Sequence, residues 1–129
     1  MLRAGGPSFD VEAFCATTSL PIDTKHRVGD QRLPVGRISS ESGIGVQVSG
    51  AAFDNFAQQV ADATVFLERH AEEVRRLVTF AGVDGATLDF GIKRRDVAAQ
   101  HDSFPARLVS LAGALGVSLG MTQYEIAVE

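Results

Sequence analysis

Cysteine occurs once in the 129 residues, at Cys15, so no intrachain disulfide and no multi-cysteine metal site can form. Such usage fits a reducing compartment. Long apolar runs are missing as well. Nowhere do about eighteen apolar residues follow one another, so no membrane-spanning helix is expected. The opening "MLRAGGPSF" lacks the uninterrupted apolar core of a secretory signal. The expectation is a cytoplasmic chain with no membrane partner. Charge of one sign is also scarce: Lys and Arg number 12 against 16 Asp and Glu, a net −4. A mildly acidic chain is not built to attract phosphate backbones over its whole surface, so nucleic acid is not an expected partner.

Catalytic and cofactor signatures are absent too. "GIGVQVSG" holds glycines but not the strand-to-helix fingerprint of a dinucleotide site, and no P-loop lysine follows it. No HExxH, CxxC or GxSxG is present. No cofactor, metal ion or catalytic residue is assigned on these grounds.

What the chain does have is a hydrophobic content of 45%, enough for one domain over residues 1–129 that buries roughly two thirds of its unfolded surface. "MLRAG" reads as a strand. "PSFDVEAFCATT" reads as a short helix with Ser8 at its cap, Asp10 and Glu12 near its positive end, and Val11, Phe14 and Cys15 facing inward. The turn-rich stretch from Asp23 to Gly50 suggests three strands: "TKHRV", "PVGRIS" and "GIGVQVS". In the last, Ile44, Val46 and Val48 alternate with Gly45, Gln47 and Ser49. Apolar residues at helical spacing then run from Asp54 to Phe80, with room for a break near His70; Glu72–Arg76 and Arg69–Glu73 are one turn apart. "ATLDFGIK" is a strand with Leu88, Phe90 and Ile92 inward. "SFPARLVSLAGALG" is a helix with Ser103 near its cap and Gly116 closing it, and "VSLGMTQYEIAV" is the last strand. The order β-α-β-β-β-α-β-α-β predicts an α+β two-layer sandwich: a mixed, largely antiparallel sheet with helices packed on one face.

Taken together, "FDVEAF", "VADATVFLERHAEEVRRL", "LDFG" followed by "RDVAAQ" and "FP", and "LVSLAGALGVSL" resemble the domain of unknown function 4279 family of small bacterial proteins. The resemblance implies a single α+β domain and an intracellular bacterial protein. It implies no activity and carries over no catalytic residue, and the region from Lys25 to Glu41 does not share in it.

The densest concentration of chemistry is "LDFGIKRRDVAAQHDSFP". Asp89 and Lys93 fall on the strand face opposite Leu88, Phe90 and Ile92. Lys93, Arg94 and Arg95 come where the strand gives way to a loop, and Asp96, Gln100, His101 and Asp102 follow within it. A ligand anion could meet Arg94, Arg95 and the free N–H groups at the start of the last helix. The plainer alternative is that Asp96 and Asp102 bond nearby backbone N–H groups as turn and cap residues. His101 and Asp102, adjacent in sequence, are poorly placed for a general base with its orienting carboxylate. Lys25, His26, Arg27, Arg32 and Arg37 concentrate positive charge in a segment with no aromatic residue for base stacking, which reads as a solvated face or a contact for acidic groups on a partner. His70 has no second His or Cys one turn away for zinc.

Two functions follow as expectations. The first is a non-catalytic interaction module: a homodimer, a subunit, or an immunity-like binder of another protein. The second is a small anionic-ligand binder or enzyme with its site at residues 93–103. Assembly has its own signal in the last strand, where Tyr124, Ile126 and Val128 alternate; at a sheet edge that stripe would invite pairing with a second copy.

Overall fold

The computed structural model describes residues 1–32 and 37–125. Strand β1 (Leu2–Gly6) leads into helix α1 (Val11–Cys15). Four short strands follow: β2 (Thr24–His26), β3 (Gln31–Arg32), β4 (Arg37–Ile38) and β5 (Ser42–Val46). Helices α2 (Phe56–Arg69) and α3 (Ala71–Thr79), strand β6 (Gly85–Lys93), helix α4 (Ala106–Leu115) and strand β7 (Ser118–Tyr124) complete the order. The main sheet runs β2-β5-β1-β6-β7, and β3 and β4 form a separate two-stranded ribbon. All pairings in the main sheet are antiparallel except β6 with β7, which α4 joins in parallel. This is the expected α+β sandwich.

The sheet has two chemically distinct faces because side chains alternate along each strand. Register places Val46, Leu2, Leu88 and Leu119 in one row across four strands, with Ile44, Ala4 and Ala86 beside it. These rows meet the helices. Val11 and Phe14 from α1, Val60, Ala63 and Leu67 from α2, Val74 and Leu77 from α3, and Leu108, Ala112 and Leu115 from α4 join them in one core. Phe9, Phe14 and Phe80 pack edge-on or tilted, with centroids 5.2–6.1 Å apart. The Arg76 guanidinium lies 4.9 Å from the Phe14 centroid and also bonds Glu73 and Thr17. Its partner is thus the residue three before it, not Glu72, because the stack on Phe14 turns it toward that side.

Several local expectations shift by a few residues. The long helix breaks at His70, whose φ of −111° and ψ of 22° end α2 and begin α3. Arg69 and Glu73 consequently lie on either side of that break. Asp10, not Ser8, caps α1: its Oδ1 accepts from the Ala13 N–H at 3.1 Å, because the first turn begins only at Val11. Asn55 caps α2 by accepting from the Gln58 N–H at 3.2 Å. At α4 the cap position is Pro105, with no side-chain bond, so Ser103 does not serve there. Gly116 closes α4 in the left-handed region at φ 78°. Between Asp23 and Gly50 four strand pieces stand where three were expected, the additional one being β3. Residues 34–36 of the "PVGRIS" expectation lie outside the described residues.

Candidate interaction surface

No described helix covers the second face of the sheet. Across it the register aligns Thr24, Gly45, Arg3, Thr87 and Ser118 in one row. Glycine recurs on this face, and longer neighbours lie across the glycines. The His26 ring sits on Gly43, and Phe53 and Tyr124 sit on Gly91. The two rings stack nearly parallel, 5.0 Å apart and inclined by 10°, although Phe53 is 52% and Tyr124 44% exposed. Large aromatic side chains covering a strand glycine restore the packing that its missing Cβ forfeits.

Asp89 stands at the centre of this face. Its two oxygens accept from Arg3 Nη1 and Thr122 Oγ1, each at 2.9 Å. Arg3 is largely exposed while the Asp89 side chain is 14% exposed, so the pair orients Asp89 more than it stabilises the fold. Two hollows meet at Arg3. The larger, of about 560 Å³, lies toward Thr24, His26, Asp84 and Thr87. Among the described residues, His26 Nε2 is the buried side-chain nitrogen left without a partner there. The smaller, of about 240 Å³, lies toward Gln59, Gly91, Phe53 and Tyr124. The loop between β5 and α2 forms its wall, held by Ser49 donating to Asp62 at 2.7 Å.

That clamp has a pH signature. Ser49 and Gln58 both donate to Asp62, which holds its carboxyl below the usual value. A carboxyl depressed in the folded state contributes stability above its unfolded value and loses it as pH falls through its folded value. Carboxyl carbon shifts followed by NMR are therefore expected to titrate below the ordinary Asp value of about 3.9. Any stability gap between the wild type and Asp62→Asn should close toward acid. A midpoint at or above the ordinary value would contradict the clamp.

The residues singled out in the loop do not converge with Asp89. Lys93, Arg94, Arg95 and Asp96 line a separate cleft of about 330 Å³ with Asp54, a residue of the opposite charge to the three cations. Gln100 holds the loop from within: its Oε1 accepts from the Arg95 N–H at 2.7 Å and its Nε2 donates to Asp102 at 3.1 Å. Asp102 lies 3.5 Å from the Arg95 guanidinium. It engages side chains rather than backbone N–H groups. His101 is exposed, and no α4 residue lines the cleft. Of the cations between residues 25 and 37, those whose side chains are described do not gather. Lys25 and His26 fall on opposite faces of β2, and Arg27 pairs with Glu12; the side chains of Arg32 and Arg37 lie outside the described residues. The His70 ring packs 4.5 Å from that of Phe66, Cys15 is half-buried against the core, and among the described residues no three His, Cys, Asp or Glu gather to hold a metal.

Strand β7 is the other feature that sequence reading left open, and the sheet order places it at an edge. Tyr124 C=O accepts from Arg94 N–H, so Tyr124, Thr122 and Gly120 turn their backbone groups toward β6. Alternation then sends the N–H and C=O of Leu119, Met121 and Gln123 outward. No described strand pairs with them. The opposite edge, β2, is three residues long and carries Lys25, whereas β7 has seven residues without charge or proline. Ile126 and Val128 lie outside the described residues. No described helix is long and apolar enough to cross a membrane. Comparisons with protein-family models, curated proteins and solved structures find no match.

Proposed function

We propose that this chain is a non-catalytic interaction module that self-associates through β7. The observation that carries this reading is the unguarded edge: Leu119, Met121 and Gln123 direct unpaired backbone groups outward from a strand with none of the usual protective residues. Natural sheet edges are normally blunted by charge, proline or brevity, and β2 uses brevity and Lys25. A second copy fits because an antiparallel partner related by a two-fold axis at Met121 pairs Leu119 with the copy's Gln123. The same outward residues then meet as mutually bonded pairs. On the helix-covered side, the half-buried Leu119 and Met121 would lose their remaining exposure. Uncharged self-pairing brings no like charges together.

Substituting Gln123→Pro tests the proposal. The Gln123 N–H faces away from β6, so proline removes an intermolecular donor without breaking the protein's own ladder. A dimer in the wild type that becomes a folded monomer in the variant is the expected result. Dimerisation unchanged by Gln123→Pro would exclude β7 as the interface. The anionic-ligand reading at residues 93–103 has less support, since Asp54 and Asp96 share that cleft with the cations and Gln100 satisfies the loop internally.

A further inference from the structure

The larger hollow on the open face, of about 560 Å³, has glycine for much of its floor: Gly5, Gly45 and Gly85. Packing accounts for two of them. An added Cβ would stand 2.5 Å from the Ser42 carbonyl oxygen at Gly5 and would collide with the Thr24 hydroxyl at Gly45. Gly85 has no such reason. Nothing lies within 4 Å of its Cβ position, and its φ is outside the left-handed region. Glycine weakens a strand, and a strand glycine under no local constraint marks a place where a ligand comes close to the backbone.

The charges around this floor are sorted by sign. On one side Arg3 stands in a single row with the threonines Thr24 and Thr87. Its Nη1 bonds Asp89, which leaves Nη2 and Nε as further donors. On the other side are Glu41, two residues before Gly43, and Asp84, held by its N–H to Gly5 C=O at 2.9 Å. Neither carboxylate is ion-paired among the described residues. One cation against two anions leaves the lining net negative. The His26 ring closes the β2 end, with its unpartnered Nε2 turned onto Gly43.

We propose that this hollow binds an α-amino acid with a cationic side chain. The ligand's carboxylate accepts from Arg3 and Thr87, and its α-ammonium donates to Asp84. Its side chain crosses β1 over Gly5 and brings the second cation to Glu41. Asp84 and Thr87 are three residues apart, or about 10 Å along an extended chain. An α-amino acid measures about 3.6 Å from nitrogen to carboxylate oxygen. A hydrogen bond of about 2.8 Å at each end extends that to about 9 Å. From β6 to β5 is two strand spacings, again about 10 Å, within reach of a long cationic side chain. An amine without a carboxylate would meet Arg3 with like charge, and a neutral side chain would leave Glu41 unmatched. The volume falls in the range of small-molecule sites, roughly 300–1,000 Å³. The site does not depend on pairing at β7.

L-Lysine titrated into the ¹⁵N-labelled full chain is the test. Cadaverine, which lacks the carboxylate, and norleucine, which lacks the side-chain ammonium, are the matched controls. Saturable shifts of the Gly5, Gly85 and Thr87 amide signals are expected, with a dissociation constant of about 1 mM for so small a ligand. Each control is expected to bind about five-fold more weakly, the effect of losing one partly exposed ion pair. Gly85→Val fills the hollow with a good strand former. It should unfold at or above the wild-type urea midpoint and show no shifts with lysine. Arg3→Gln should erase the preference for lysine over cadaverine. Equal response to lysine and both controls, wild-type binding by Gly85→Val, or shifts confined to residues 94–102 would overturn the assignment.

Discussion

Replacing Phe14 with alanine is expected to lower the free energy of unfolding by about 4 kcal/mol, the usual range for deleting a buried phenyl ring being about 3–5. Phe14 is fully buried and packs against Phe9 and Phe80. The ring is also the platform for Arg76, which ties α3 to α1 through Thr17. Its loss opens a cavity between α1 and α3 that the sheet cannot collapse to fill, because α1 is held by its own contacts with β5 and α3 by its contacts with α4. In urea, the midpoint should fall by about 2 M for a typical slope of about 2 kcal/mol/M. A shift of less than a quarter of that would mean that α1 is not part of the cooperative core.

Gly82→Ala is expected to cost about 3 kcal/mol, from two sources that a second glycine separates. Gly82 has φ 86° and follows Phe80 and Ala81 in a turn closed by Val83 N–H to Phe80 C=O at 3.1 Å. The third position of such a type II turn requires positive φ, and an alanine there costs about 1–2 kcal/mol. An added Cβ would also collide with the Ser8 carbonyl and stand 2.7 Å from the Phe9 nitrogen, adding an overpacking cost of about 1–3 kcal/mol. Gly29, at φ 93°, has nothing within 4 Å of the same position. Gly29→Ala should therefore show only the conformational cost, about 1 kcal/mol. Equal losses at both positions would mean that the 80–83 turn does not pack on the β1–α1 connection.

How far the chain announces this structure depends on the range over which each feature is decided. Leu88, Phe90 and Ile92 alternate because one face of β6 is covered, so "ATLDFGIK" is legible as a strand with its inward side known. Leu108, Ala112 and Leu115 are legible for the same reason at helical spacing. The cap of α1 was misplaced because Ser8 and Asp10 are both good caps, and only the packing of Val11 decides between them. The 24–41 stretch lacks either period, since strands of two or three residues are too short to show one.

The candidate site was less legible than the fold. Asp89 could be assigned to the outward face, but its partner Arg3 lies 86 positions away, and nothing local links them. Gln59 gave no sequence signal at all. A glutamine among the apolar positions of α2 looks like a boundary residue until the fold brings it to the Ala52 and Gly91 carbonyls. The edge position of β7 follows from which strands pair, and alternation within one strand contains no information about its neighbours. One signal was available and is general: seven strand residues without charge or proline are unusual at an edge and ordinary at a centre.

Light scattering across a dilution series is the most direct measurement of the central claim, that β7 pairs with its own copy. The account predicts a particle of about twice the 13.7 kDa chain mass that dissociates on dilution, with the amides of Leu119, Met121 and Gln123 protected from exchange only in the dimer. A chain that stays at its monomer mass into the millimolar range, with those three amides exchanging freely, would contradict it.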